Sequence, residues 1–366
     1  MTSFGRGLHN RNPAVLVAAA LLLVPFLLVI QASFTSGAWT TVPMKYWVRV
    51  PTDDFTYVSW TTGTLKRDPT TLPLVVLTGG SSGREAISSG PSLASQVKKA
   101  GGPPICAYNL SCRKQRFAQT LAIIDNLPDT PTTVLVGVNL GRFSSTPERN
   151  FDQVTGGDLL LDSATLRRYA REKYGAEKYS YTILPGISTY LATLVQRRMS
   201  SLQDGQIALP KLLLHQWDQW GLRPRAKLEE AMRNWLRPTG NFAAAAGDEF
   251  PDFKKNLAFN LALLDEVVRR GKERGFDIVL VDLPYDRAVI GHSFDAAMAM
   301  YKVPCRKIAR KYGVPYLDFT SQLKLTIKDY RDLSHLRPSG RKIWEAKLAQ
   351  ELVGLYRSGV IDGGHP

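Results

Sequence analysis

Leu72-Pro73-Leu74-Val75-Val76-Leu77-Thr78 runs straight into Gly79-Gly80-Ser81-Ser82-Gly83, and a helix-like stretch begins at Arg84. A short apolar run ending in a glycine-rich turn reads as a buried strand that passes sharply into a helix. The pattern recurs down the chain. Thr133-Val134-Leu135-Val136-Gly137-Val138 ends at Asn139, and Asp277-Ile278-Val279-Leu280-Val281-Asp282-Leu283 runs into Pro284-Tyr285. Val314-Pro315-Tyr316-Leu317-Asp318 is a shorter fourth run. Helical patterns occupy residues 116–127, 253–274 and 293–312. Strands alternating with helices predict a parallel sheet covered by helices on both faces.

Two regions depart from that rhythm. Residues 144–251 are basic and aromatic, include Trp217, Trp220 and Trp235, and hold no convincing strand. They are expected to form a helical insertion beside the sheet. At the other end, residues 13–30 are wholly apolar, with Arg6 and Arg11 before them and no charge until Lys45. Such a run suits one membrane crossing, which takes about 20 apolar residues. The preceding arginines predict the amino terminus inside and the bulk of the chain outside. A cleaved signal peptide ending near Ser36-Gly37-Ala38 is the competing reading; the length of the run favours a retained anchor. The expected organisation is a cytoplasmic tail over 1–11, an anchor over 12–31, a juxtamembrane stalk over 32–72, and one α/β domain over 73–366.

Composition narrows the function classes. Apolar residues make up 44% of the 366, enough for a substantial core. The formal charge of +15 favours anionic partners such as lipid headgroups or acidic envelope polymers. No zinc-finger, RRM or KH signature points to nucleic acid. Cys106, Cys112 and Cys305 cannot all pair, and none has metal-site spacing.

Ligands of open α/β sheets bind beyond the carboxyl ends of the strands, so the polar residues there carry the chemistry. Ser81 lies on such a turn, where flanking glycines let backbone N–H groups approach a reacting atom and a helix amino terminus favours negative charge. By itself that turn also suits a phosphate cradle or plain structure, although no Walker lysine follows Gly83. The carboxyl end decides more. Asp332-Leu333-Ser334-His335 precedes Leu336-Arg337-Pro338-Ser339-Gly340 and a final helix. An aspartate three residues before a histidine in a loop can orient the imidazole, whose other nitrogen then takes a proton from a nucleophile.

TGGSSGRE, the VGVN ending of the 133–138 strand, and DLSH before the last helix resemble the first, third and fifth blocks of the SGNH hydrolases. The resemblance covers roughly residues 72–352, with the insertion poorly matched. It is closest to membrane-anchored SGNH proteins of envelope-polymer acylation, such as those of teichoic-acid D-alanylation and alginate acetylation. It implies a flavodoxin-like three-layer α/β/α sheet. It also implies Ser81 as nucleophile, His335 as general base, Asp332 as the carboxylate orienting it, and an oxyanion hole from the Ser81 N–H and the Asn139 side chain. Ser82 is the alternative nucleophile, disfavoured by the Gly-x-Ser phasing. The second block departs from the family: residues 108–114 contain no glycine where one usually completes the oxyanion hole. Arg113, Lys114 and Arg142 are expected at the pocket mouth, as holders of an anionic substrate.

The activity so implied is O-acyl transfer or ester hydrolysis on an envelope glycan or glycolipid through an acyl-Ser81 intermediate. The alternative is an inactive SGNH domain that binds an envelope polymer or scaffolds a membrane complex. The implied partners are an acyl donor, the glycan acceptor and the membrane, and a membrane-bound O-acyltransferase is a natural companion for this family. No metal or organic cofactor is implied.

Overall fold

The computed structural model describes residues 13–49, 54–155, 159–174, 184–204, 253–287 and 295–362. Its first helix, α1 (Pro13–Ser36), is followed by 3-10 turns at Ala38–Thr41 and Met44–Tyr46 and by α2 (Asp54–Arg67). Next come β1 (Leu74–Thr78), α3 (Ser81–Arg84), α4 (Gly90–Lys99), β2 (Cys106–Asn109), α5 (Phe117–Asn126) and β3 (Thr132–Val138). Four helices follow, with no strand between them among the described residues: α6 (Leu140–Phe143), α7 (Pro147–Thr155), α8 (Ala164–Tyr174) and α9 (Leu184–Asp204). The chain continues through α10 (Phe253–Glu273), β4 (Asp277–Asp282), α11 (Asp295–Tyr312), β5 (Tyr316–Leu317), a 3-10 turn at Ile327–Asp329, and α12 (Pro338–Arg357).

The five strands form one sheet in the order β2-β1-β3-β4-β5, every pair parallel. This is the doubly wound order with a switch point between β1 and β3. Alternation along each strand divides the core in two. Leu74, Val76, Val134, Val136, Ile278 and Leu280 face one way, onto Leu121 and Ile124 of α5, Leu263 and Val267 of α10, and Tyr301 and Cys305 of α11. Val75, Leu77, Leu135, Val279 and Val281 face the other, onto Leu93 and Val97 of α4 and Trp344, Leu348 and Leu352 of α12. A parallel sheet covered on both faces explains why its strands read as unbroken apolar runs.

β2 was not among the expected strands. It is an edge strand whose Tyr108 and Asn109 remain half-buried, so its sequence lacks the solid apolar run of the central strands.

The described residues of 32–72, expected to form a stalk, pack largely onto the domain core. Phe34, Trp39 and Trp47 are buried in the same core cluster as the α5 face, with Phe34 stacked on Trp39 at 5.3 Å between ring centroids. The α2 helix buries Thr56, Ser59 and Thr62 beside Val58 and Leu65. Two of these hydroxyls find partners: the Thr56 hydroxyl donates to the Tyr190 hydroxyl (3.2 Å), and Ser59 Oγ accepts the Leu160 N–H (2.9 Å), whereas Thr62 Oγ1 is buried with none among the described residues. Small hydroxylated residues make a surface-like composition but bury well once hydrogen-bonded. The segment joins the end of α1 directly to the domain core.

The described part of the 144–251 segment contains α7, α8 and α9, joined by turns and irregular backbone. Phe151, Leu160, Leu166 and Tyr190 place it against the α5 and α10 side of the core. Trp217, Trp220 and Trp235 lie outside the described residues. Among the described residues one helix, over Val17–Ser36, is long and apolar enough to cross a membrane.

Candidate active site

The turn at the carboxyl end of β1 places Ser81 at the first position of α3, after the extended Gly80. His335 Nε2 lies 2.7 Å from Ser81 Oγ, and His335 Nδ1 lies 2.7 Å from both carboxylate oxygens of Asp332. Residues far apart in sequence thus form a hydroxyl–imidazole–carboxylate chain within hydrogen-bonding reach.

The loop bearing Asp332 and His335 is folded on itself. Tyr330 and Leu336 form an antiparallel bridge, and the Arg331 N–H donates to the His335 carbonyl at 2.8 Å. Asp332 Oδ1 accepts the N–H groups of Ser334 and His335, both at 3.0 Å. The three-residue spacing between Asp and His has this geometric content: one carboxylate caps the turn and orients the ring it carries. Pro338 then opens α12, and Gly340 packs where a Cβ would lie 2.5 Å from the Asp329 carbonyl oxygen. That approach accounts for the glycine that ends the motif. Partial burial works to raise the Asp332 carboxyl. The hydrogen bond and charge of His335, the Ser334 N–H and Arg331 outweigh it and hold the group below its ordinary value.

Asn139 stands at the end of β3 and caps α6. Its Oδ1 accepts the Arg142 N–H (3.0 Å), which turns its amide nitrogen toward the Ser81–Ser82 turn, where it donates to Ser82 Oγ at 3.3 Å. Ser82 is itself buried. Ser81, not Ser82, therefore contacts the imidazole, and the Asn139 amide is aimed at the same turn.

The loop after β2 closes the opposite side. Gln115, fully buried, accepts the Gly79 N–H through Oε1 (2.5 Å) and donates through Nε2 to the Leu110 carbonyl (2.8 Å). The Cys112 N–H donates to the Gly79 carbonyl at 3.2 Å. Gly83 of α3 approaches this loop so closely that a Cβ would sit 2.9 Å from Ser111 Oγ. Between these ties, Lys114 has φ 60°, the left-handed region; among the described residues no other non-glycine does so. Residues 108–114 lack a glycine, yet Lys114 adopts a backbone that favours one, at a cost of roughly 1–3 kcal/mol for such a residue.

A pocket of about 230 Å³ opens onto Ser81. Its walls include Gly80, Lys114, Arg116, Asn139, Tyr285 and Leu333. Tyr285 ties two walls together: its hydroxyl accepts the Leu140 N–H (2.9 Å), and its carbonyl accepts the Tyr330 hydroxyl (2.7 Å). Among the described residues, none from the 144–251 insertion lines this pocket.

The three expected substrate cations divide. Arg113 and Lys114 are exposed on the pocket wall. Arg142, expected at the mouth, is instead buried at 1% exposure. Its guanidinium stacks 4.0 Å from the Phe117 ring centre and donates to the Gly137 carbonyl and to Thr120 Oγ1. These interior partners hold the guanidinium, while Arg142 still lines the pocket and its N–H fixes Asn139. Burial, with Arg116 nearby, pulls Arg142 down to about 9, and burial with Arg149 pulls Arg116 down to about 10. Both remain cationic at neutral pH, so the floor of the pocket carries positive charge.

Gln115, Arg116 and Tyr285 were not singled out as site residues. Tyr285 had a usable signal, since it follows a strand end directly. Gln115 had none, because a glutamine's burial is invisible in sequence. Cys106, Cys112 and Cys305 are free thiols, with Cys112 and Cys305 buried. No protein-family model matches the chain, and no curated protein matches it significantly in sequence.

Proposed function

We propose that the chain is a membrane-anchored serine enzyme of the SGNH-hydrolase type, which transfers or hydrolyses O-acyl groups on a cell-envelope glycan or glycolipid. The observation that carries the reading is the Ser81–His335–Asp332 chain, with both linking contacts at 2.7 Å. In the first half-reaction Ser81 Oγ attacks the ester carbonyl while its proton passes to His335 Nε2. Asp332 steadies the imidazolium. The oxyanion gathers charge beside the Ser81 N–H and the Asn139 amide, within reach of the positive pocket floor. The tetrahedral species collapses to acyl-Ser81, and His335 returns the proton to the departing alcohol. Water, or an acceptor hydroxyl, then attacks the acyl-enzyme by the reverse sequence.

The left-handed Lys114 supports an intact oxyanion site over an inactive scaffold, because it supplies the backbone a glycine would give. Arg113 and Lys114 on the wall suit an anionic acceptor. The apolar α1 helix fits a single crossing of the cell membrane, with the domain on the outer side as the arginines before it imply.

The test is turnover of an aryl acetate by the purified full-length protein, with product partition between water and an added envelope glycan followed by mass spectrometry. Acyl release that disappears in Ser81→Ala supports the reading, and the partition separates transferase from esterase. A well-folded Ser81→Ala protein that turns over normally refutes it.

A further inference from the structure

The contact between His335 and Ser81 depends on how two distant pieces are held. Ser81 rides on α3; His335 rides on the self-closed loop that precedes α12. Besides the Ser81–His335 contact itself, a side-chain tie reaches across: Arg331 Nη2 donates to Glu85 Oε1 at 2.9 Å. Glu85 follows α3 immediately and is 4% exposed. Its backbone is fixed on both sides, with its N–H donated to the Ser81 carbonyl (3.0 Å) and its own carbonyl accepting Arg341 Nε of α12 (3.0 Å).

The tie belongs to a longer alternation of charge. Arg84 Nη2 meets the same Glu85 oxygen at 3.0 Å, and Arg84 Nη1 meets Asp54 Oδ2 at 2.6 Å. Asp54, at the start of α2, also accepts the Arg113 N–H at 3.1 Å, one residue before the left-handed Lys114. At the other end, Arg331 Nε lies 3.9 Å from Asp332 Oδ2. Asp54, Arg84, Glu85, Arg331 and Asp332 thus link α2, the serine helix, the loop after β2 and the histidine loop. Charges so placed pay a desolvation penalty, and well-packed apolar side chains often replace them at no loss of stability. Stability alone does not account for this arrangement. Its members are the side chains that fix one catalytic piece against another.

We infer that Glu85 and Arg331 are positioning residues that set the Ser81–His335 contact, an assignment that rests on the serine-enzyme reading. Arg331 also contributes to the balance that holds the Asp332 carboxyl low, after His335 and the Ser334 N–H.

The test uses full-length protein in detergent micelles and a fluorophosphonate probe. Ser81 Oγ forms the new P–O bond, fluoride leaves, and the serine proton departs through His335. Second-order labelling rates are measured for wild type, Glu85→Gln, Arg331→Ala, Arg331→Lys and the Glu85→Gln/Arg331→Ala pair. Arg331→Ala is also measured in an Asp332→Asn background. A misplacement near 1 Å can cost about 100-fold, so each single change is expected to slow labelling about 10- to 100-fold. The pair should cost little more than the worse single change, and Arg331→Lys should recover part of the rate. Arg331→Ala should add little where Asp332 is already Asn, an outcome that general destabilisation does not produce. If Arg331→Ala fails to fold, the near-isosteric Glu85→Gln decides. Wild-type rates in Glu85→Gln and Arg331→Ala, or an equal loss from Arg331→Ala in both backgrounds, overturn the inference alone. Failure of the wild-type protein to label at Ser81 overturns it together with the reading beneath it.

Discussion

The two loops flanking Ser81 are rigid by different means. Residues 330–336 close on themselves through a backbone bridge, and Asp332 caps the turn that holds its own histidine. The internal bonds of residues 110–116 come from Gln115, whose N–H donates to the Cys112 carbonyl and whose side chain donates to the Leu110 carbonyl. Other restraints on the loop reach other elements: the Gln115 side chain accepts the Gly79 N–H, and the Asp54 carboxylate accepts the Arg113 N–H, with Lys114 in a left-handed conformation between. The first loop is written into consecutive residues; the second depends on partners from other elements. A motif is readable to the extent that its restraints are local.

Breaking the first loop should have the largest consequence. His335→Ala is expected to lower acyl turnover by about 10⁴-fold or more, and adding Ser81→Ala should cost little further, since such residues act as a unit. Steady-state kinetics on the two single variants and the pair checks this, and additive losses contradict it.

Disturbing the second loop should appear first as instability. Gln115→Leu strands the Gly79 N–H and the Leu110 carbonyl inside the protein, each worth about 1–3 kcal/mol when unsatisfied. Chemical denaturation should show a loss of roughly 2–4 kcal/mol. A loss below about 0.5 kcal/mol would mean that the loop is held by something other than Gln115.

A smaller effect separates the loops by pH. Asp332 is held below the ordinary carboxyl value in the fold, so its ionised form stabilises the protein above about pH 4. That contribution fades as pH falls from there toward the depressed folded value. The stability gap between wild type and Asp332→Asn should therefore narrow on acidification below about pH 4. A gap that widens contradicts the assigned direction.

The smallest effect belongs to Lys114→Gly. The left-handed backbone suits glycine, but the unfolded chain gains freedom, so the change in stability should stay within about 1 kcal/mol. If the loop contributes through its backbone, turnover of a small neutral ester should stay within about twofold. A weaker affinity for anionic glycan alone would place the ammonium in substrate binding.

The same distinction explains how much of the molecule the sequence discloses. β1, β3 and β4 were legible because both faces are buried and their apolar runs are unbroken. Asn139 and the Asp332–His335 pair were legible because each sits at a strand end or in a tight local pattern. β2 was not, since an edge strand alternates too weakly over four residues. The Trp39, Trp47 and Ser59 region passed for a stalk because its burial depends on Tyr190 and Leu160, far along the chain. Arg142 was placed at the surface by the ordinary habit of arginine, and only the aromatic face of Phe117 with two interior acceptors makes its burial tolerable. Glu85 and Arg331 carry no signature at all, since their tie joins positions 246 residues apart.

The central claim is that Ser81 becomes acylated by way of His335. The most direct measurement is peptide mapping by mass spectrometry of the full-length protein quenched in acid during turnover of an aryl acetate. The account predicts an acetyl mass increment on the peptide containing Ser81, localised to that residue, lost in Ser81→Ala and strongly reduced in His335→Ala. An acetyl group found on Ser82, or turnover with no adduct on Ser81, would contradict it.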